Sequence, residues 1–292
     1  MPPHRRRRRS IHQTAVKQLF GAFNDAPEYC LDAHDRLADS LSQLDDQSQL
    51  LLADIASRLH FIKGEPTAAF ASLLRKISPP KSLPQPRNIW LCPSARYISG
   101  NNRPKSTAAI GYAMQPLMSR INTILQFPFS KAEIHPLPLP SKRANPNSDL
   151  IIFFDEYIGS ATQIIKTIDN EIPAWPSSQI CVVTQAIHRI GVDTLADRQI
   201  NVYTEHIDSR GISDHITDPP LRVAALKKIT RIGRSIGAST DYLLGFKQCQ
   251  AMVVTRRIPN NTFPVFWHET QPEDSEHSTK GLWWKPPFPR NW

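Results

Sequence analysis

The chain has 292 residues, of which 40% are hydrophobic and 21% charged, a balance typical of a soluble globular protein. It contains no long uncharged apolar run, so we expect no transmembrane helix and no contact with a membrane. The net charge is +9, and the run Arg5–Arg9 supplies more than half of it, so the rest of the chain is not a strongly basic nucleic-acid binder.

The N-terminal residues 1–10 are basic and lack the apolar segment of a secretory signal. We predict that they form a disordered, solvated tail, although an arginine run could also contact nucleic-acid phosphates. The four cysteines are scattered without metal-ligand spacing, so we expect reduced thiols, no zinc site and a cytoplasmic location.

Residues 11–80 are predicted to form a helical N-terminal region, because apolar residues recur there at helical spacing. One of these helical runs extends from Leu51 to Ile62. The proline-rich segment Ser78–Arg87 then predicts a linker and a domain boundary, since its prolines cannot continue a helix.

Residues 88–292 are predicted to form one α/β domain. Short apolar runs predict five strands, at Ile89–Cys92, Ala132–Leu137, Leu150–Phe154, Ile180–Gln185 and Asn201–Ile207. Helical stretches separate them, which favours a parallel sheet whose strand ends and following loops share one edge. Residues 208–240 are predicted to be mainly helical, and Met252–Thr255 and Phe263–Trp267 to be strands.

The segment that follows the third strand combines acids with a loop of small residues. Asp155 and Glu156 are expected on an exposed strand end, where open α/β sheets bind ligands. Gly159–Thr162 would form a tight turn, and a helix would begin at Gln163. The N–H groups of a helix N-terminus can hold a phosphate, and the carboxylates could hold sugar hydroxyls. An ordinary turn with two solvated acids is the alternative interpretation.

The sequence D-E-Y-I-G-S-A-T-Q, at residues 155–163, resembles the PRPP-binding loop of the phosphoribosyltransferase superfamily. It is most similar to the PRTase-CE group of bacterial conflict and antiviral loci, which include some retron loci. Three further stretches carry the same resemblance: Gly245–Met252, Pro259–Trp267 and Trp284–Arg290. The resemblance extends from about residue 40 to the C-terminus and implies a phosphoribosyltransferase-like parallel sheet flanked by helices, with a helical N-terminal extension and a C-terminal hood.

The resemblance also implies a site. Asp155 and Glu156 would hold the ribose near a developing positive charge, and Mg²⁺ would bridge pyrophosphate and ribose oxygens. The 5′-phosphate would bind to the loop residues Gly159, Ser160, Ala161, Thr162 and Gln163. Pyrophosphate would bind to the loop after the first core strand, Ser94–Lys105, with Arg96, Arg103 and Lys105 as charge partners. A solvated basic surface loop is the alternative at those three cations.

Two positions depart from the family pattern: Glu156 replaces an aspartate, and Ala161 replaces a glycine. We expect right-handed backbone dihedrals at Ala161, because an L-residue with a positive φ is strained. We assign no catalytic role to His188, His206 or His268, since most single histidines near strand ends are structural.

Three functions remain open at this stage. The first is a phosphoribosyl or pentosyl transferase that binds PRPP or a nucleotide and acts as an effector of antiviral defence. The resemblance implies control of this effector by a reverse transcriptase and its nucleic acid. The second is a non-catalytic regulator that binds PRPP or a nucleotide. The third is a nucleic-acid-binding module that acts through the arginine-rich N-terminus.

Overall fold

The computed structural model describes residues 12–18, 21, 23, 32–94, 111, 114–135, 137, 139–140, 142–255, 258–270, 282 and 284–289. The chain divides into two compact units, one made of Met1–Lys63 with Asp208–Trp292 and the other of Gly64–Ile207. The arginine run and the cations Arg96, Arg103 and Lys105 lie outside the described residues. None of the described helices is both long and apolar enough to cross a membrane.

The regular elements are numbered here in chain order within the described residues. The helices are α1 (Ala33–Leu41), α2 (Asp46–Ala56), α3 (Pro66–Leu74), α4 (Ile121–Ile124), α5 (Thr162–Glu171), α6 (Arg189–Asp197) and α7 (Pro219–Ser235). The strands are β1 (His60–Phe61), β2 (Asn88–Pro93), β3 (Lys131–Ile134), β4 (Leu150–Ile158), β5 (Ile180–His188), β6 (Asn201–Asp208) and β7 (Val253–Val254). Short 3₁₀ helices form at Ser177–Gln179, Thr240–Tyr242, Phe246–Gln248 and Pro264–Phe266.

The second unit is built on a five-stranded parallel sheet, which confirms the predicted fold class. Its strands lie in the order β3-β2-β4-β5-β6, and helices pack on both of its faces. The five predicted strands are all present, although β4 and β5 each extend further than predicted. Because β3 lies on one side of β2 and β4 on the other, the strand order reverses between β2 and β4.

The strand β4 explains why the sheet is buried on both faces. Ile152 and Phe154 belong to one apolar cluster, which includes residues of α3 and α4. Ile151 and Phe153 belong to another cluster, which includes residues of α5 and α6. Alternate residues of a strand point to opposite faces, so an unbroken apolar run is needed where both faces are covered.

The proline-rich segment interrupts the regular structure as predicted. Residues 75–87, all of which the structure describes, contain neither helix nor strand. The helix α3 ends before this segment and belongs to the unit that contains the sheet. The two compact units are divided at other positions, and they are defined by contacts in the folded chain, not by independent folding. The limits 11–80 and 88–292 for folding domains therefore stay a prediction.

The first unit contains α1, α2 and α7 around one apolar cluster, in which the side chain of Trp284 is fully buried. The helix predicted to reach Ile62 ends at Ala56, so that prediction is wrong at its C-terminal end. His60 and Phe61 instead pair in parallel with Val253 and Val254 of β7. Backbone hydrogen bonds from distant residues therefore outweigh the local helical periodicity.

The strand predicted at Phe263–Trp267 is also wrong. The structure has a 3₁₀ helix at Pro264–Phe266, which starts with a proline that cannot donate a backbone hydrogen bond to a sheet. Phe263, Val265 and Phe266 are all fully buried. A run of buried apolar residues is compatible with either a strand or a helical turn, and the sequence pattern alone does not separate the two.

Candidate functional site

The two acids lie inside β4 and not after it. The strand continues to pair with β5 beyond the apolar run, with Asp155 opposite Thr184 and Ile158 opposite Ile187. Glu156 is buried, with 6% of its surface exposed, and Asp155 is half-buried. The expectation of an exposed strand end is therefore wrong, because β4 continues beyond the apolar run and the acids lie within the paired strand.

Asp155 is held by hydrogen bonds on both carboxylate oxygens. The hydroxyl of Ser94, the residue after β2, donates to Oδ2, and the backbone N–H of Glu156 donates to Oδ1 at 2.8 Å. Burial raises the pKa of Asp155 to about 6, and the nearby Glu156 carboxylate also raises it. The hydrogen bonds from Ser94 and the backbone act in the opposite direction, since they favour the charged form. The carboxyl group therefore titrates within the range of ordinary assay conditions.

The position of the bond between Ser94 and Asp155 is significant for ligand binding. Ser94 follows β2, and Asp155 lies in β4 one residue beyond the last pair that the two strands form, Pro93 with Phe154; the strand order reverses between these neighbouring strands. Open α/β sheets bind their ligands in the crevice at such a reversal. The structure thus brings the start of the predicted pyrophosphate loop next to the acids, while the cations of that loop lie outside the described residues.

Ala161 adopts the left-handed conformation, with φ at 57° and ψ at 2°. The expectation of right-handed dihedrals is therefore wrong. The strain costs about 1 kcal/mol for a residue with a Cβ atom. The methyl group is 5% exposed and belongs to the apolar cluster beside α5, so its burial contributes about 0.8 kcal/mol in return. The loop therefore has a backbone that a glycine would favour, although alanine occupies the position.

The loop from Gly159 to Gln163 leads directly into α5. The hydroxyl groups of Ser160 and Thr162 lie 2.9 Å apart, and Thr162 is the first residue of the helix. The first N–H groups of an α-helix lack partners within the helix, and no described side chain caps this N-terminus. The structure thus brings the five predicted phosphate-binding residues into one turn, with backbone donors and hydroxyl groups available to an anion.

Sequence reasoning missed the corner at which β5 meets α6. Gly191, in the first turn of α6, lies against the backbone of Gly159, and an added Cβ atom would come within 3.0 Å of the Gly159 carbonyl oxygen. His188 is fully buried, and its Nδ1 accepts a hydrogen bond from the backbone N–H of Ile190 at 3.2 Å. This histidine therefore caps the N-terminus of α6.

The carboxylate groups of this site fit a hard cation that takes most of its coordinating oxygens from a bound phosphate compound and from water. The described residues contain no group of three or more histidine, cysteine or acidic side chains that could hold a metal ion. Mg²⁺ commonly binds through one or two carboxylates together with substrate phosphates and water. Asp155 is half-buried and charged above its pKa of about 6, so it can provide such a carboxylate.

Comparison with known proteins agrees with the sheet and with the loop. The model of the PRTase-CE family matches residues 39–290, which is most of the chain. No curated protein matches the sequence. The chain therefore belongs to the PRTase-CE family.

Proposed function

We propose that the protein binds PRPP or a ribosyl-phosphate nucleotide at the crevice between β2 and β4, and that it transfers the phosphoribosyl or pentosyl group. The observation that carries this proposal is the sequence of features along β4, the loop and α5. Two acids at the strand-order reversal are followed by a left-handed turn and an uncapped helix N-terminus. A ribose 5-phosphate has its hydroxyl groups and its phosphate at the two ends of such an arrangement.

Each residue has a defined role in this proposal. The hydroxyls of Ser160 and Thr162, with the first N–H groups of α5, donate to the 5′-phosphate. Asp155 and Glu156 hold the ribose and stabilise positive charge that develops at C1′ as the bond to the leaving group breaks. Mg²⁺, when bound, supplies positive charge that neutralises the pyrophosphate. Arg96, Arg103 and Lys105 remain the proposed charge partners of that group.

The wider role is also a proposal. The resemblance to conflict and antiviral loci favours an effector that is controlled by a reverse transcriptase and its nucleic acid. One observation favours the second candidate, a regulator that binds PRPP or a nucleotide without turnover. Glu156 is buried, with only 6% exposure, which limits its contact with a ribose unless the ligand changes the strand end.

Titration calorimetry with PRPP and Mg²⁺, followed by ³¹P NMR for release of pyrophosphate, tests the proposal. The double variant Asp155→Asn/Glu156→Gln should weaken binding at least tenfold. The matched control is Asp193→Asn/Asp197→Asn, which removes two exposed acids from α6 and should bind as the wild type does. Binding without turnover of PRPP or of nucleotides would support the regulator, and an absence of binding to either ligand class would contradict both candidates.

A second experiment addresses the role in cells. Metabolite mass spectrometry of cells that express the protein should show loss of PRPP or of a nucleotide species. The same cells expressing the Asp155→Asn/Glu156→Gln variant provide the comparison. Equal metabolite levels for both proteins, with the purified wild type inactive as well, would remove the support for an enzymatic effector.

A further inference from the structure

Gly191 stands where a larger residue cannot fit without a change in the phosphate loop. A Cβ atom added to Gly191 would lie within 3.0 Å of the carbonyl oxygen of Gly159 and 3.1 Å from Cγ1 of Ile187. Real Cβ atoms essentially never approach another heavy atom as closely as this first contact. Glycine is a poor helix former, so its presence in the first turn of α6 has a cost that this close packing explains.

The helix side of this contact is the more firmly held. His188, which caps α6, and Leu195, in its second turn, are both fully buried. The strand β5 that precedes α6 is paired with β4 up to the position where Ile158 faces Ile187. The loop side begins just after that pair and contains Ala161 in a strained conformation. A steric conflict at Gly191 would therefore move the loop and leave α6 in place.

We propose that Gly191 is a positioning residue for the phosphate loop. By letting α6 contact the carbonyl group of Gly159, it sets where the turn begins and therefore where the N–H groups of Thr162 and Gln163 point. The ligand class is a phosphate monoester such as the 5′-phosphate of ribose. This inference rests on the proposed function, because it assigns a support to the same loop.

The test compares two glycine-to-alanine variants in the same compact unit. Gly191→Ala introduces the steric conflict, whereas Gly111→Ala adds a Cβ atom that meets none of the described residues within 4 Å. Calorimetry uses PRPP with Mg²⁺ and, separately, ribose 5-phosphate, which needs only the ribose and phosphate positions. Gly191→Ala should weaken both ligands at least tenfold, and Gly111→Ala should change neither by more than twofold. Circular dichroism and thermal unfolding of each variant report whether it is folded.

The outcomes separate the inference from the proposed function. If the wild type binds neither ligand, the proposed function fails. If the wild type binds both ligands and folded Gly191→Ala binds them equally well, the inference fails and the proposed function stands. Because a structural defect could also weaken binding, chemical shifts are measured in ¹⁵N-labelled protein. The displacement should be confined to amides of the loop and of the first turn of α6, and changes spread across the sheet would contradict a local positioning role.

A measurement on the wild type alone covers the case in which Gly191→Ala does not fold. Saturating ribose 5-phosphate should slow amide hydrogen exchange in peptides that contain residues 159–165 and also in the peptide 189–195, because the bound loop rests on α6. Protection of the loop peptide with no change in the peptide 189–195 would overturn the inference. Protection of neither peptide in a protein that binds the ligand would contradict the placement of the phosphate itself.

Discussion

Ser94 donates a hydrogen bond to Asp155, and this bond joins the residue after β2 to β4 just beyond the last pair of the two strands, between which the strand order of the sheet reverses. Ser94 is buried, with 4% of its surface exposed, and its backbone N–H donates to the carbonyl oxygen of Phe154 at 3.1 Å. Two hydrogen bonds thus fix the residue that begins the predicted pyrophosphate loop against the strand that carries the acids. A change at Ser94 should therefore be detected at Asp155.

Replacing Ser94 with alanine should raise the pKa of Asp155 above its wild-type value of about 6. The reason is that the Ser94 hydroxyl stabilises the charged carboxylate, and alanine leaves that oxygen without its donor. As the solution is acidified, the variant should therefore lose affinity for PRPP with Mg²⁺ at a higher pH than the wild type does. Carbon-13 NMR of labelled aspartate carboxyl groups, with Asp155→Asn to assign the signal, measures the pKa directly.

Ser94→Thr provides the control for this experiment, because threonine retains a hydroxyl donor at the same position. It should keep the titration of Asp155 close to that of the wild type, provided that thermal unfolding shows it to be folded. An unchanged Asp155 pKa in Ser94→Ala would show that burial alone sets the value and that Ser94 has no electrostatic role.

Asp155 should also make the stability of the unliganded protein depend on pH. Its folded-state pKa of about 6 lies above the reference value of 3.8, so the folded state binds the proton more tightly. The stabilising contribution is complete below about pH 4 and is lost as the pH rises through about 6. Asp155→Asn lacks this ionisation, so its free energy of unfolding should gain about 1 to 3 kcal/mol relative to the wild type between pH 4 and pH 7.5.

Urea unfolding of both proteins across this pH range measures the difference. Asp197→Asn, which removes an exposed carboxylate from α6, serves as the reference variant. If the curves for Asp155→Asn and the wild type stay parallel, the pKa of Asp155 is close to that of an unfolded chain and the acid is less buried than the structure shows. A result of that kind would also weaken the case for a functional carboxylate at this position.

Much of the fold follows from patterns that involve only nearby residues. The five strands of the sheet were predicted because each one has a short apolar run, and parallel strands covered on both faces require such runs. The loop Gly159–Gln163 was predicted for a similar reason, since its small residues stand directly between a strand and a helix. Both features depend on residues that are adjacent in sequence.

The features that were missed depend on residues far apart in sequence. The short pairing of His60 with Val253 cannot be read from either segment, because each lies in an otherwise ambiguous local pattern. Glu156 lies in a part of β4 that extends beyond the apolar run because it pairs with β5, and the importance of Gly191 results from contact with Gly159. The left-handed conformation of Ala161 opposes the local backbone preference of an L-residue, and the burial of its methyl group offsets the strain.

Asp149 should be important for stability, although it has no predicted role in the site. It is fully buried immediately before β4, and its carboxylate accepts hydrogen bonds from the backbone and side chain of Asn88, Nε1 of Trp90, the backbone of Asn145 and the hydroxyl of Ser148. Asp149→Ala leaves these donors without an acceptor and should lower the free energy of unfolding by about 3 kcal/mol or more. Urea unfolding followed by tryptophan fluorescence measures the loss.

Asp149→Asn tests whether both carboxylate oxygens are needed as acceptors. Asparagine keeps one acceptor oxygen and introduces two N–H donors among groups that are already donors, so it should also destabilise the protein, but by less than alanine does. Equal stability of Asp149→Asn and the wild type would show that the network needs only one acceptor. Since neither variant touches the acids of β4, any folded fraction should bind PRPP as the wild type does.

The last prediction concerns Ala161, whose conformation decides how well the loop can serve a phosphate. Ala161→Gly removes about 1 kcal/mol of strain at a positive φ, loses about 0.8 kcal/mol of methyl burial, and adds about 0.4 to 1 kcal/mol of entropy to the unfolded chain. These effects nearly cancel, so the free energy of unfolding should change by less than about 1 kcal/mol. Affinity for ribose 5-phosphate should change by less than tenfold, because the loop already has its left-handed turn.

Ala161→Val, which places a β-branched side chain at the same buried position, should lose both stability and binding. A gain of tenfold or more in affinity for Ala161→Gly would instead show that alanine holds the natural loop away from its binding geometry, and would favour the non-catalytic regulator.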